Sequence, residues 1–322
     1  MNYLSFVISG FFWKITTKID PDLVFIFEVS PMTQALPGIW FAKKKNIPCY
    51  LYVQDLWPEN VEIITGIKSE LIIEPITKMV KYIYRNSDKI FTTSKSFVES
   101  IIDRGVNREK VGYWPQYAED FYKPIEDDFE TEIPNDDKIN FVFAGNIGEA
   151  QGLEILPKVA EKLINTDLEK KIRFNIIGDG RYKDELIRLT KKLDNNEMFN
   201  FIERKPAKEI PKYMAVSDVA FLSLNDHPLF SKTIPAKLQS YMACGMPIIA
   251  SATGETENII SEANAGYSCK PGDVECLKEI IGKISYLDEE RLKELSVNSR
   301  KFYEDNFNKT KLLDYMEGII QK

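Results

Sequence analysis

SKTIPAKLQSYMACGMPIIAS, residues 231–251, is the stretch on which the fold turns. Ile234, Ala236, Leu238, Tyr241, Met242 and Ala243 recur at the spacing of a helix laid on a sheet. Pro235 stands where a first-turn proline loses no hydrogen bond, and Ser231 and Thr233 precede it as candidate caps. Gly245 ends the helix and Pro247 forbids its continuation. The apolar run that follows suits a parallel strand covered on both faces. The start of this helix has a second property. Lys237 lies one turn in, so orphan amides, helix dipole and ammonium converge on one place, which is a site for an anion such as phosphate.

Working outward, the same alternation fills the second half of the chain. Strands are expected at Ile139 to Ala144, Arg173 to Gly178, Phe199 to Glu203, Val219 to Leu224, the IleIleAla of the opening stretch and TyrSerCys at 267–269. Helices separate them, at Leu153 to Ile164, Tyr182 to Leu193, Lys208 to Ala215 and Glu257 to Ala263, and two more follow Val274 and Glu289. The first half carries a shorter series, with strands at Val24 to Val29, Cys49 to Leu56, Lys89 to Ser94 and the ValGlyTyrTrpPro at 111–115. Each half therefore reads as a doubly wound α/β sheet. The acidic, proline-containing segment 126–138 is expected to be the linker. The expected organisation is an incomplete first domain at 1–125, the linker at 126–138, a complete second domain at 139–300, and a C-terminal helix at 301–322 returning toward the first domain.

A chain of 322 residues suits about two domains of ~150 residues. Its net charge of -7 argues against a nucleic-acid partner, which would need a basic face. Four cysteines without a CxxC pair read as reduced thiols of a cytoplasmic protein, and a single histidine, His227, excludes multi-histidine metal sites. The apolar start, MNYLSFVISGFFWKITT, is too short to span a bilayer, which takes ~20 apolar residues. It reads either as an amphipathic helix of the first domain or as a peripheral membrane contact through Phe11, Phe12 and Trp13, with Lys43 to Lys45 nearby.

Ligands of doubly wound sheets sit beyond the carboxyl ends of the strands, and the polar and glycine positions of this chain gather there. GNIGEAQG, residues 145–152, leaves one strand and enters a helix; it is either a plain βα turn or a backbone cradle for a ligand, and its glycine spacing fits neither the dinucleotide fingerprint nor a P-loop. GlyAspGly at 178–180 closes the next strand in the same way, and Arg204 and Lys205 close the third, either as solvated charge or as phosphate partners. His227 lies in the loop leading to the anion-binding helix. In the first half, Asp55 at the end of a strand is either a base or sugar-hydroxyl acceptor, or a turn cap.

FVFAGNIGEAQGLE, NIIGDG, a strand ending in a basic residue, SDVAFLSL and KTIPAKLQSYMACGMPIIAS, in that order and spacing, resemble the C-terminal nucleotide-sugar domain of retaining family 4 glycosyltransferases of GT-B architecture. VQDLWPE and TTSKSF are similar to the N-terminal domain of bacterial members that add N-acetylhexosamine-type sugars during O-antigen, capsule or exopolysaccharide assembly. The resemblance covers nearly the whole chain. It implies a metal-independent transferase without a cofactor, using a UDP-sugar as donor and a lipid-linked saccharide as acceptor, at the cytoplasmic side of the membrane. It also implies roles for particular residues. Gly145, Asn146, Gly148 and Gln151 would lie near the diphosphate, Lys237 would neutralise it, Gly178 and Arg204 would border base and phosphates, and Ser240 would face the ribose. His227, Ser231 and Thr233 would border the donor sugar, and Asp55 would be the titratable group of the first domain.

The chain departs from the family pattern at several positions. Lys232 and Ser240 occupy the places of a common Glu-x7-Glu pair, Asn146 and Gln151 those of a common Arg and Lys, and Gln54 that of a histidine. Only four strands precede the linker, so an N-terminally truncated transferase is expected. A non-catalytic nucleotide-sugar-binding fragment is the alternative. A sugar-nucleotide epimerase of the same architecture is disfavoured by the single histidine and the few rim carboxylates.

Overall fold

The computed structural model describes residues 2–125, 130–193 and 197–321. The chain divides into two compact units, Met1–Pro115 and Gln116–Lys322.

The first unit is a four-stranded parallel sheet, β1 (Val24–Glu28), β2 (Cys49–Val53), β3 (Lys89–Thr92) and β4 (Val111–Tyr113), in the order β1-β2-β3-β4. Helices Ala35–Lys45, Glu70–Arg85 and Lys95–Ile102 supply the crossovers, and a further helix, Glu59–Thr65, was not legible in the sequence. Glu59 and Glu62 suit its first turn, but its few apolar positions give no helical period.

The apolar start forms helix Asn2–Thr16. Trp13 packs on Phe41 with ring centroids 5.0 Å apart, and Phe11 meets Trp40 edge-on at 5.8 Å, so this helix covers the Ala35–Lys45 helix. The three neighbouring lysines have partners within the unit. Lys44 bonds the carbonyls of Lys14 and Ile15, Lys45 pairs with Asp20 at 2.9 Å, and Lys43 donates to Asn86. No described helix is long and apolar enough to cross a membrane.

The second unit holds the six expected strands: β5 (Ile139–Ala144), β6 (Ile172–Ile177), β7 (Phe199–Ile202), β8 (Val219–Ser223), β9 (Ile248–Ser251) and β10 (Gly266–Cys269). All pairs are parallel, in the order β10-β9-β8-β5-β6-β7. Strands β5, β6, β8 and β9 are buried along almost their whole length, which explains why their sequences are largely apolar. Phe141, Phe143, Phe174 and Phe221 fill the core, each stabilising by roughly 1.5–3 kcal/mol through burial. Strand order reverses between β5 and β8, the place where open α/β sheets leave a crevice.

Three boundaries differ from expectation. The acidic segment is not a free linker: its described part, 130–138, belongs to the second unit. Glu132 bonds both Lys205 and Tyr213, Asp136 pairs with Arg173, and Ile133 is buried, so charge that suggests solvation in the sequence is spent on fixed partners. Residues 126–129 of that segment lie outside the described residues. The C-terminal break falls not at 300–301 but after the Glu289–Asn306 helix, where Asn308 caps the Lys309–Ile320 helix. Finally, the central helix runs Ala236–Ala243, with Pro235 as its N-cap residue in extended conformation and no side-chain cap.

The far end of that central helix is pinned by the Glu289–Asn306 helix. Arg300 donates to the Ala243 carbonyl, and Ser296 Oγ donates to Gly245 O at 2.6 Å. Tyr303 of the same helix reaches Ala118 O at 3.3 Å, holding the lead-in segment of the unit.

Candidate active site

Strand register sets the floor of the site. Ala144 pairs with Ile177, and Ile177 with Ile202, so the loops that begin at Gly145, Gly178 and Glu203 leave the sheet side by side. At Gly178 φ is +147°, and a Cβ there would collide with the Gly145 carbonyl oxygen. At Gly145 φ is +143°, and a Cβ there would occupy the place of Lys237 Cε. Glycine is therefore required twice, once to let two backbones touch and once to let a lysine cross a backbone.

The helix Ala236–Ala243 stands over this floor. Tyr241 sets its position, since its buried hydroxyl accepts from the Ala144 amide at 3.0 Å. This tether brings Ala236, Lys237 and Ser240 to a cavity of about 650 Å³, lined also by Gly145, Asn146, Gly178, Asp179, Gly180, Arg204, Lys205 and Tyr122. The volume suits a ligand larger than a single phosphate.

Lys237 is the group that defines the cavity's chemistry. Its Nζ donates to Gln151 Oε1 at 2.5 Å and lies 4.5 Å from the Phe143 ring centroid. No carboxylate pairs with it among the described residues. Burial lowers its pKa to about 8, because a cation with only an amide and a ring beside it is poorly stabilised. An arriving anion would supply the missing charge. Arg204 is exposed on the cavity wall, whereas Lys205 is committed to Glu132. The one carboxylate on the wall, Asp179, accepts from the Gly180 amide at 2.8 Å.

The structure thus brings together Gly145, Asn146, Gly178, Arg204, Lys237 and Ser240 on one cavity wall. Gln151 joins them through Lys237, and a Cβ at Gly148 would meet Asn146 Nδ2 at 2.8 Å, so Gly148 is the neighbour that leaves room for that side chain.

The three donor-sugar candidates are not on the wall. His227 Nδ1 accepts from the Leu229 amide at 3.1 Å, Ser231 Oγ donates to Pro228 O at 2.9 Å, and Thr233 Oγ1 donates to Leu229 O at 2.9 Å. Their polar atoms shape the loop that leads to the helix. This also corrects the capping role expected for Ser231 and Thr233, whose hydroxyls turn back to carbonyls.

Asp55 lies in the first unit. Its Oδ2 accepts from Ser30 N at 3.1 Å and from Ser30 Oγ at 2.7 Å, while Trp57 and Asn60 both donate to that Oγ at 3.2 Å. Its contacts tie its own loop to the Ser30 loop 25 residues earlier, and not to the turn that follows it, which is where the sequence reading placed a capping role.

Sequence reasoning missed Tyr122, Tyr241 and Asp179. Tyr241 sat in plain view at an apolar helix position, where its hydroxyl carried no separate signal. Tyr122 follows the last strand of the first unit in a stretch without periodicity. Its hydroxyl bonds Ser240, and burial raises its pKa. Ser240 Oγ in turn donates to Ala236 O at 3.1 Å. If the nucleotide sugar implied by the sequence resemblance occupies this cavity, Tyr122→Phe and Ser240→Ala are each expected to weaken its binding by about 1 kcal/mol, roughly fivefold, as single neutral hydrogen bonds do. Isothermal titration of both variants checks this; a loss beyond 50-fold in either would make that hydroxyl a principal contact.

Residues 124–302 match the family model described as "Glycosyl transferases group 1". Among curated proteins, the chain is 28% identical over 247 residues to a probable glycosyltransferase, WbjE, of Pseudomonas aeruginosa, an alignment covering 74% of this chain and 60% of that protein. It is 26% identical over 274 residues to the putative colanic acid biosynthesis glycosyl transferase WcaI of Escherichia coli K12, covering 79% and 63%. The chain thus spans about 60% of the length of these relatives. Among solved structures, sucrose-phosphate synthase from Thermosynechococcus elongatus superposes with a TM-score of 0.75 at 18% identity, covering 99% of this chain and 77% of that one. Anabaena HepE in complex with UDP-glucose superposes with a TM-score of 0.74 at 14% identity, covering 98% and 81%. At these identities the likeness is one of fold: two parallel α/β sheets of the GT-B kind.

Proposed function

Since the chain belongs to the glycosyl transferases group 1 family, we propose that it is a retaining, family 4 type transferase that moves a sugar from a UDP-sugar to a lipid-linked saccharide in bacterial surface-polysaccharide assembly. The sugar in this reading is of N-acetylhexosamine type. The observation that carries the donor half is Lys237, a cation in the cavity with no carboxylate partner, crossing Gly145 beside the start of its helix. The UDP-glucose bound by the HepE neighbour and the colanic acid pathway in the name of WcaI support the donor and pathway assignments.

In the proposed mechanism the diphosphate lies between the Gly145 loop and the Ala236–Ala243 helix start. As the glycosidic bond breaks, negative charge grows on the leaving phosphate, and Lys237, the helix dipole and the Gly145–Asn146 backbone stabilise it, so that no metal is required. The acceptor hydroxyl attacks from the same face and the departing phosphate takes its proton. No protein base is then needed, which agrees with the structural duty of Asp55. The protein works without a cofactor, with contact to the cytoplasmic membrane face through its acceptor.

Donor binding should carry a pH signature. Below about pH 8 Lys237 is charged in the free protein; above it the lysine is neutral and the incoming diphosphate must recruit a proton. Affinity for UDP-glucose or UDP-N-acetylglucosamine is therefore expected to hold between pH 6.5 and 7.5 and to fall up to tenfold per unit above about 8. In the free protein the sign is opposite. The folded pKa lies below the unfolded value of 10.5, so the penalty of burying the charge is present below about pH 8 and is relieved as pH rises toward 10.5. Titration calorimetry in buffers of different ionisation heat measures the proton uptake directly. Equal affinity for UDP-, GDP- and ADP-sugars, or affinity unchanged to pH 9.5, would overturn the donor assignment.

A further inference from the structure

A second hollow lies wholly within the first unit, and its lining has an unusual charge balance. About 350 Å³ in volume, it is walled by Lys81, Tyr84, Arg85, Arg104, Gly105, Val106, Asn107 and Lys110. Four of these side chains are cationic and none is a carboxylate, in a chain whose net charge is -7.

Two of the cations are fixed parts of the wall. Lys110 Nζ donates to Ser87 O at 2.9 Å, and Arg104 bonds Trp57 O and Glu59. The other two, Lys81 and Arg85, are one turn apart on the Glu70–Arg85 helix, so they project from one face. Neither is engaged in an ion pair among the described residues. The acid closest to them in sequence, Asp88, accepts from the Cys49 amide at 2.8 Å. Glu59 neutralises Arg104, but Lys81 and Arg85 have no such partner among the described residues; they repel each other and Lys110, and the helix C-terminus offsets only a fraction of that repulsion, about 0.3–1 kcal/mol per charge. A bound anion would offset the remainder.

We propose that this hollow binds a phosphoryl group, with Arg85 as the forked partner, Lys81 as a second direct contact, and Lys110 and Arg104 as the charged back wall. Arg85 and Lys110 precede β3 and β4, so the site lies at the amino edge of the first sheet, whereas Asp55 follows β2 at its carboxyl edge. It is thus a binding site separate from the donor cavity, and it does not depend on the proposed transferase reading. A guanidinium fork with a nearby ammonium selects a compact, doubly charged oxyanion over a monoanion. A phosphate monoester or pyrophosphate free in solution and the headgroup of an anionic lipid share that chemistry.

The test is made on the full chain carrying Lys237→Met, so that the donor cavity does not contribute. Pyrophosphate is titrated at low ionic strength, and co-sedimentation is measured with phosphatidylcholine vesicles with and without 20 mol% phosphatidic acid. The expected result is saturable binding in at least one arm, reduced tenfold or more by Lys81→Ala/Arg85→Ala. Both side chains are exposed, so this double variant should keep the parent's thermal midpoint, which reports that it folds. Binding of pyrophosphate alone identifies a soluble ligand; binding only to phosphatidic acid vesicles identifies a headgroup. Absence of saturable binding in both arms, or binding that the double variant retains, overturns the proposal.

Discussion

Lys237→Met is expected to lower kcat/KM for the nucleotide-sugar donor by roughly 100- to 1000-fold, the loss typical of removing one preorganised charge stabiliser from a leaving group. The variant should at the same time fold at least as well as the parent. Its ammonium has an amide oxygen and an aromatic face beside it but no counter-charge among the described residues, so the free protein bears a desolvation penalty that methionine, of similar length, removes. Activity and stability therefore move apart. Steady-state kinetics and thermal melting in the absence of nucleotide check both halves. A variant with full kcat/KM would remove the lysine from the mechanism, and one that melts well below the parent would make it a structural residue.

The largest effect on stability is expected at Gly178. Alanine there combines a backbone conformation that L-residues rarely adopt with a collision against the Gly145 carbonyl, which as backbone cannot swing aside. The expected cost is about 3–5 kcal/mol, a large share of the roughly 5–15 kcal/mol that separates most folded domains from their unfolded chains. For a unit of this size that is a fall of roughly 10 °C in melting temperature. Urea unfolding followed by circular dichroism measures it; a midpoint equal to that of the parent would mean that the β5 and β6 loops are free to separate.

How much of this was legible in the sequence depends on what kind of signal each part sends. Four strands of the second sheet, β5, β6, β8 and β9, announce themselves because strands covered on both faces are largely apolar, as in IleAsnPheValPheAla. The helix whose start carries Lys237 was legible for a local reason: Pro235, Lys237 and Gly245 lie within a dozen residues of one another. The acidic segment failed because composition reports charge and not partnership. Glu132 and Asp136 look solvated until Lys205, Tyr213 and Arg173 arrive from distant parts of the chain. His227, Ser231 and Thr233 were placed by proximity to the helix start, whereas the direction of their hydrogen bonds, set by loop geometry, turns them back on their own chain. Tyr122 and Ser240 meet only because the chain folds across more than a hundred residues, a contact that no periodicity encodes.

The pinning of the central helix has a consequence for anyone who trims this protein. Arg300 and Ser296 hold the far end of the helix whose near end carries Lys237, and Tyr303 holds the segment that delivers Tyr122. The tail is thus a splint for the cavity that Lys237 lines. An excised domain that stopped near residue 288 would retain all six strands and yet release both ends of its ligand cradle, so the shortest portable version of the second unit has to extend through Tyr303.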